Sequence, residues 1–185
     1  MPLILGIVAS GNYPRSNPSY ESIATVSVGS GGASDVTFSS IPSTFKHLQI
    51  RYIGRNTSTS LDVYAQLNGD TGNNYRSHYL TGDGSSASAG DIGTQAFWNG
   101  GYTSGSSQST SVFGAAVIDI LDYTNTNKNK VMRTLTGWDN NGSGQVVLYS
   151  GLWLNTAAIT SIKLYKPPSG TWAQYSSFAL YGIKG

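Results

Sequence analysis

The chain has few residues that could carry acid–base chemistry. It contains one glutamate, Glu21, and eight aspartates. Catalysis by carboxyl groups needs two of them in one cleft, one with a raised pKa. Only Asp119 and Asp122 lie inside an apolar run, whereas most other aspartates stand among Gly, Ser and Asn, where Asp commonly hydrogen-bonds a turn. Because an odd spacing on a strand places two side chains on opposite faces, this pair is poorly arranged for catalysis.

The histidines and serines add no catalytic set. His47 is predicted on the polar side of a strand together with Arg51, and His78 lies at the edge of a loop-rich region. No Gly-x-Ser-x-Gly elbow stands between a strand and a helix. Residues 68–73 resemble an oxygen-ligand calcium loop but lack its terminal glutamate. We therefore expect no catalytic, metal or cofactor site. A β-sandwich hydrolase would have only those two aspartates and two histidines to use.

Aromatic residues say more about possible binding than the acidic residues, histidines and serines do, since the chain has 12 Tyr, 4 Trp and 5 Phe. Tyr75, Trp98 and Tyr102 fall within residues 68–111, a region rich in Gly, Ser, Asn and Thr. If these rings are exposed on loops, they could stack on the sugar rings of a glycan. Alternatively, they pack over the end of the domain or against a neighbouring copy, where large amphipathic rings are favoured. We prefer packing, because aromatic composition alone does not select a ligand.

Alternation of apolar and polar residues predicts an all-β chain, and no segment shows a capped helical stripe. The segments with a strand pattern are 21–28, 35–39, 46–53, 61–67, 112–122, 130–138, 145–154, 162–165 and 177–183. Within residues 68–111 we expect only one or two short strands and extended surface loops. About eight or nine strands in one domain favour a jelly-roll-like antiparallel β-sandwich, with a different Greek-key sandwich as the alternative.

The last strand segment, 177–183, predicts how the end of the chain pairs with earlier strands. Phe178 and Leu180 share one face of it, and Ala179, Tyr181 and Ile183 share the other. A strand that is apolar on both faces is usually interior in a sheet or covered by a neighbouring chain. The chain is therefore expected to return its final segment between earlier strands.

Composition narrows the classes of function. A length of 185 residues suits a single domain, which we place at residues 20–185. The formal net charge is only +2 and the basic residues are scattered, which argues against a nucleic-acid partner. The chain has no cysteine, so disulfides and thiolate metal sites are excluded. Stability must come from packing and from association.

Residues 1–19 are predicted to be an extended arm followed by a linker. The arm carries Leu3, Ile4, Leu5, Ile7 and Val8, and the linker is rich in Pro, Asn and Ser. This apolar run is far shorter than the ~20 residues needed to cross a bilayer, and no positive charge precedes it as in a signal peptide. We expect no membrane partner. The run is either an arm that docks on a partner or a first strand of the domain.

Several segments resemble small β-sandwich virion proteins of tailed phages, especially phages of marine and cyanobacterial hosts. The resemblance covers most of the chain and is carried by structural motifs at residues 1–10, 20–26, 41–51, 120–123, 160–162 and 175–185. None of these motifs is catalytic in that family.

The resemblance implies a structural role in a virion that assembles in the host cytoplasm. The first expectation is a capsid decoration (cement) protein, a homotrimer that binds the major capsid protein or other virion proteins and stabilises contacts between capsomers. The alternative is a tail-fibre or receptor-binding module that recognises a cell-surface glycan through residues 68–111.

Overall fold

The computed structural model describes residues 19–167 and 170–185 of the chain. Within these ranges the chain forms twelve β-strands. Their bounds are β1 Tyr20–Ser27, β2 Asp35–Phe38, β3 His47–Gly54, β4 Asp62–Leu67, β5 Tyr75–Gly82, β6 Ala87–Gln95, β7 Trp98–Tyr102, β8 Gly114–Leu121, β9 Lys130–Asp139, β10 Gly144–Trp153, β11 Ile162–Tyr165 and β12 Ser177–Ile183. All pairs of neighbouring strands are antiparallel.

Two sets of four strands form a jelly-roll sandwich. One set pairs in the order β1-β12-β3-β8, and the facing set pairs in the order β2-β11-β4-β7. Along the chain, β1, β2, β3 and β4 alternate between the two sheets, and β8, β11 and β12 alternate again. Repeated crossing between two packed sheets is the connectivity of a jelly roll. The predicted all-β, jelly-roll-like antiparallel sandwich is therefore confirmed.

Two hairpins extend one of these sheets beyond the other. The β9–β10 hairpin pairs with β8, and the β5–β6 hairpin then pairs with β10. The large sheet thus has eight strands, in the order β1-β12-β3-β8-β9-β10-β5-β6, while the small sheet keeps four. The edge strand β7 of the small sheet contacts β8, β9, β10 and β5. Since β6 contributes no residue to the buried core, the outer end of the large sheet projects past the small one.

The core lies between the sheets and follows the strand alternation. Leu48, Ile50 and Tyr52 of β3 are buried, as predicted for the inward face. Trp172 is fully buried and contacts the ring of Phe178, with centroids 4.6 Å apart. Such aromatic contacts contribute about 0.5–1.5 kcal/mol beyond area burial. The predicted position of the last strand is also confirmed, because β12 lies between β1 and β3.

The expectation for residues 68–111 was wrong. Three strands, β5, β6 and β7, occupy half of this region. The alternation rule missed β6, Ala87–Gln95, because neither of its faces enters the core, so it carries no apolar period. The expected eight or nine strands were consequently too few. The proposed arm residues Leu3 to Val8 lie outside the described residues.

Candidate functional site

A cleft follows the edge of the small sheet, where the inner face of β10, β5 and β6 projects past β7. We call it the edge cleft, and its volume is about 430 Å³. Its lining residues combine tyrosine rings with amide, hydroxyl, carboxylate and aliphatic side chains: Asp62, Tyr79, Thr81, Ser88, Ile92, Asn99, Tyr102, Gln145, Val147 and Tyr149. This volume falls within the range of ~300–1,000 Å³ that small-molecule sites usually occupy.

Three tyrosines form the aromatic part of the edge cleft. The ring of Tyr149 lies between those of Tyr79 and Tyr102, with centroid distances of 6.3 and 6.0 Å. Tyr149 is buried, and its burial, followed by the neighbouring Tyr102, raises the pKa of its hydroxyl far above the usual value. Tyr149 therefore stays neutral at physiological pH. A β-carbon on Gly90 would collide with the Tyr79 ring. The glycine therefore allows this ring to pack directly against the backbone of β6.

A bulge in the small sheet fixes the position of Tyr102. The pairing of β4 with β7 shifts between Val63 and Tyr64, and Gly101 in the bulge has a φ of 131° that favours glycine. The backbone of Tyr102 is then held by Thr136, whose Oγ1 lies 2.8 Å from its carbonyl oxygen and 3.1 Å from its nitrogen. The Tyr52 hydroxyl donates a second hydrogen bond to the same carbonyl at 3.1 Å.

Polar side chains converge on the tyrosines. The Gln145 amide donates to the Thr81 hydroxyl at 2.9 Å. Asn99 is 6% exposed, that is, 94% buried. Its Oδ1 has no hydrogen-bond partner among the described residues. A buried polar atom without a partner costs about 1–3 kcal/mol. Such an atom in a folded protein calls for an explanation, such as a bound water, an ion or a ligand.

The carboxylate of the edge cleft interacts with a buried lysine. Burial raises the pKa of Asp62, and the positive charge of Lys166 opposes that shift. Lys166 is itself 3% exposed, and burial lowers its pKa to about 7 while Asp62 pulls it back upward. The Lys166 Nζ lies 4.6 Å from the centroid of the Trp172 ring and has no hydrogen-bond partner among residues 19–167 and 170–185.

A second surface feature lies on the opposite, outer face of the large sheet. Val117 of β8 pairs with Leu135 of β9, which pairs with Leu148 of β10, which pairs with Leu80 of β5. We call these four residues the outer stripe, and they are 37–57% exposed. Val146 lies beside them and lines a shallow apolar depression of about 300 Å³ together with Leu135. The stripe crosses four adjacent strands without a polar side chain.

A polar row borders the outer stripe two residues further along the strands. Gln49, Asp119, Arg133, Ser150 and His78 follow one another across the sheet in register. The Gln49 amide donates to Asp119 Oδ1 at 2.8 Å, which explains why this glutamine is buried although it lies on the outer face. The apolar stripe and this charged border together have the layout of an interface centre with a polar rim.

The structure separates the three aromatic residues singled out by sequence. Tyr75 and Trp98 are fully buried, which excludes the less favoured possibility that they are exposed ligand residues on loops. Both belong to strands whose inward positions they fill, and their rings contact each other with centroids 6.0 Å apart. Tyr102 does line the edge cleft. Both rings therefore pack, as preferred, but in the core of the domain and not over its end.

Sequence reasoning missed the other cleft residues. Tyr79 and Thr81 share a face of β5, and Gln145, Val147 and Tyr149 share a face of β10. An inward face that mixes tyrosine with amides and hydroxyls, instead of purely apolar residues, was the available signal.

The candidate catalytic residues take part in local interactions. Asp122 follows β8 and pairs with Lys46 at 3.0 Å and with Lys128, and its backbone nitrogen donates to His47 Nδ1 at 3.0 Å. Asp119 instead bonds Gln49 within the polar row. The two carboxylates thus have separate partners.

In the candidate calcium loop, the Asp70 carboxylate oxygens already accept hydrogen bonds from other groups of the protein. Asp70 Oδ2 accepts a hydrogen bond from Trp153 Nε1 at 2.7 Å, and Oδ1 accepts one from the Gly72 nitrogen at 2.8 Å. Within residues 19–167 and 170–185, no three His, Cys, Asp or Glu side chains form a group that could hold a metal ion. The same ranges contain no helix long and apolar enough to span a bilayer.

No protein-family model, curated protein or solved structure significantly matches this chain.

Proposed function

We propose that the chain is a virion structural protein, a capsid decoration protein that binds the capsid surface and stabilises contacts between capsomers. The virion and the capsid come from the resemblance of the sequence to phage virion proteins, and the structural observation that supports a binding surface is the outer stripe. Side chains at the centre of a sheet face in water normally include polar residues, whereas Val117, Leu135, Leu148 and Leu80 leave four adjacent strands apolar. A contiguous exposed apolar patch of this kind marks an interaction surface.

The size of the stripe indicates how much of the binding it can supply. Full burial of each half-exposed side chain of the stripe would contribute about 1 kcal/mol to the free energy of binding. With Val146 included, the total is on the order of 5 kcal/mol. Association costs about 4–15 kcal/mol in lost freedom, so the stripe needs additional contacts. The polar row supplies groups for the rim, and the apolar residues Leu3 to Val8 are the proposed second anchor.

Two surface substitutions test the role of the stripe. Leu135→Ser and Leu148→Ser in one chain should remove the apolar centre without touching the core, because both side chains point outward. Leu154→Ser is the matched control, since Leu154 is 53% exposed and lies outside the stripe. Capsids prepared without this protein are mixed with each purified variant, and the bound fraction is measured by sedimentation.

The double variant should bind at least tenfold more weakly than wild type, and the control should bind normally. Unchanged binding by the double variant would contradict the proposal. Deletion of residues 1–19 tests the arm separately. We expect the truncated chain to fold but no longer to bind capsids. Analytical ultracentrifugation without capsids measures self-association, for which we expect a trimer.

A tail-fibre or receptor-binding module that recognises a glycan is the second candidate function. The edge cleft is the observation that favours it, since tyrosine rings and amides meet there in a volume of about 430 Å³. Labelled electron microscopy of virions separates the two locations. Label over the capsid shell supports decoration, and label confined to the tail supports the receptor-binding role.

A further inference from the structure

We propose that the edge cleft binds one neutral pyranose residue of a glycan, with Asn99 and Gln145 bonding its hydroxyl groups and the tyrosines contacting its ring. This inference deepens the second candidate function, recognition of a glycan, and rests on it; the location of the chain on virions and its binding of a free glycoside are measured separately. The sequence-based glycan hypothesis relied on Tyr75, Trp98 and Tyr102, and only Tyr102 lines the cleft, because the other two are buried in the core.

Asn99 is the strongest indication of a ligand. Its side chain lines the cleft and is 94% buried, given its 6% exposure, yet its Oδ1 has no hydrogen-bond partner among the described residues. An amide has two donors and an acceptor, and it can bond neighbouring hydroxyls of a sugar with both ends. A bound hydroxyl would give this amide the partner that the fold itself does not supply.

The aromatic residues suit the apolar part of a sugar ring. Tyr79 and Tyr102 flank the buried Tyr149, so their rings and hydroxyls line the same concave surface. Such a side chain offers both an apolar face and a polar tip. Gly90 keeps the Tyr79 ring against β6, where a β-carbon would displace it. The preformed position of Tyr102 comes from its backbone hydrogen bonds to Thr136.

The charge of the cleft favours a neutral ligand. Asp62 is its only ionisable carboxyl group, and no lysine, arginine or histidine lines it among the described residues. An anionic sugar or a phosphate would face Asp62 without a cation at the cleft surface. A purely apolar ligand would leave the amides and hydroxyls without partners. A quaternary ammonium could face the rings and Asp62, but it has no donors or acceptors for Asn99 and Gln145.

Ligand titrations observed by NMR test the site. The intact chain, labelled with ¹⁵N, is titrated with the methyl glycosides of glucose, galactose, mannose and N-acetylglucosamine, and separately with choline chloride and sodium N-acetylneuraminate. At least one neutral glycoside should shift the Asn99 side-chain amide signals and receive saturation transfer from tyrosine rings. Absence of binding by all four neutral glycosides would overturn the proposal, as would tighter binding of choline or N-acetylneuraminate.

Variants then locate the binding to these residues. Asn99→Ala should weaken the affinity for that glycoside by about tenfold, the usual effect of losing one hydrogen bond. Because Asn99 is buried, Gln145→Ala serves as a second, more exposed variant with the same expected direction. Tyr175→Ala is the control, since Tyr175 is 75% exposed and does not line the cleft. Equal affinity in wild type and Gln145→Ala, together with unmoved Asn99 signals, would place binding elsewhere and refute the assignment.

Discussion

Replacing Lys166 by methionine should make the protein more stable, most strongly at low pH. Lys166 follows β11 on its inward side and is 3% exposed, with its Nζ beside the Trp172 ring. Methionine has a similar length, fills the same space and carries no charge that must be desolvated. The pKa of Lys166 is lowered although Asp62 attracts its charge, so loss of the charge should gain more from desolvation than it loses in that attraction.

The pKa of Lys166 sets the magnitude and its dependence on pH. Burial lowers that pKa from 10.5 to about 7, so between these values the unfolded chain holds the proton more readily than the folded chain. The cost of the lysine is full below pH 7 and fades as pH rises towards 10.5. This shift corresponds to about 5 kcal/mol at pH 6 and about 2 kcal/mol at pH 9.

Attraction between the ammonium group and the Trp172 ring reduces this cost. A desolvated cation–π contact is worth ~2 kcal/mol and favours the charged form. We therefore expect Lys166→Met to be more stable than wild type by about 2–4 kcal/mol at pH 6. The advantage should shrink by about 1–3 kcal/mol between pH 6 and pH 9.

Urea unfolding followed by tryptophan fluorescence measures this difference at pH 6, 7, 8 and 9. Taking the difference between variant and wild type removes the contribution of titrating groups that do not interact with Lys166, and pH 6 to 9 lies above the ordinary Asp pKa of 3.8. Lys163→Met is the matched control, because Lys163 lies on the opposite face of the same strand with its side chain 43% exposed. A stability difference for Lys166→Met that is constant across this range, or a destabilised variant at pH 6, would refute the reasoning.

Three further substitutions test the packing and the ion pairs. Gly182→Ala should destabilise the fold by about 1–3 kcal/mol, because its β-carbon would overlap the Phe45 ring, whereas Gly29→Ala has open space and should leave the urea midpoint unchanged. Arg55→Lys should cost about 2 kcal/mol and speed proteolysis of residues 103–112, because the Arg55 guanidinium donates to three backbone carbonyls there; equal digestion rates would argue against this. Hydrogen bonds from Lys128 and Lys46 lower the pKa of Asp122 to about 2, so its stabilising effect is present above the ordinary value of 3.8 and lost towards pH 2. Asp122→Asn should flatten acid unfolding in that interval, and an unchanged acid transition would contradict the assignment.

The types of the aromatic residues do not by themselves show which of them can contact a glycan. Tyr75, Trp98 and Tyr102 lie in one polar region of the sequence, and nothing local distinguishes them. In the fold the first two fill the core, and only Tyr102 reaches the edge cleft. Their separation depends on the inserted hairpins, which place β5 and β7 against each other across the two sheets.

Local pattern determines the strands that bury one face. The alternation of Leu48, Ile50 and Tyr52, and of Phe178 and Leu180, requires a dry side, so it predicts both the strands and their inward residues. Glycine and proline between these runs predict the turns. The all-β class and the sandwich follow, because each rule acts over a few neighbouring residues.

Tertiary structure alone decides which surfaces remain open. The edge cleft and the outer stripe exist because two hairpins enlarge one sheet while the other keeps four strands. Leu135 and Leu148 have the same apolar character as core residues, and only the pairing of distant strands shows that they face outward. Such pairing joins residues far apart in the chain, so no short-range rule can specify it.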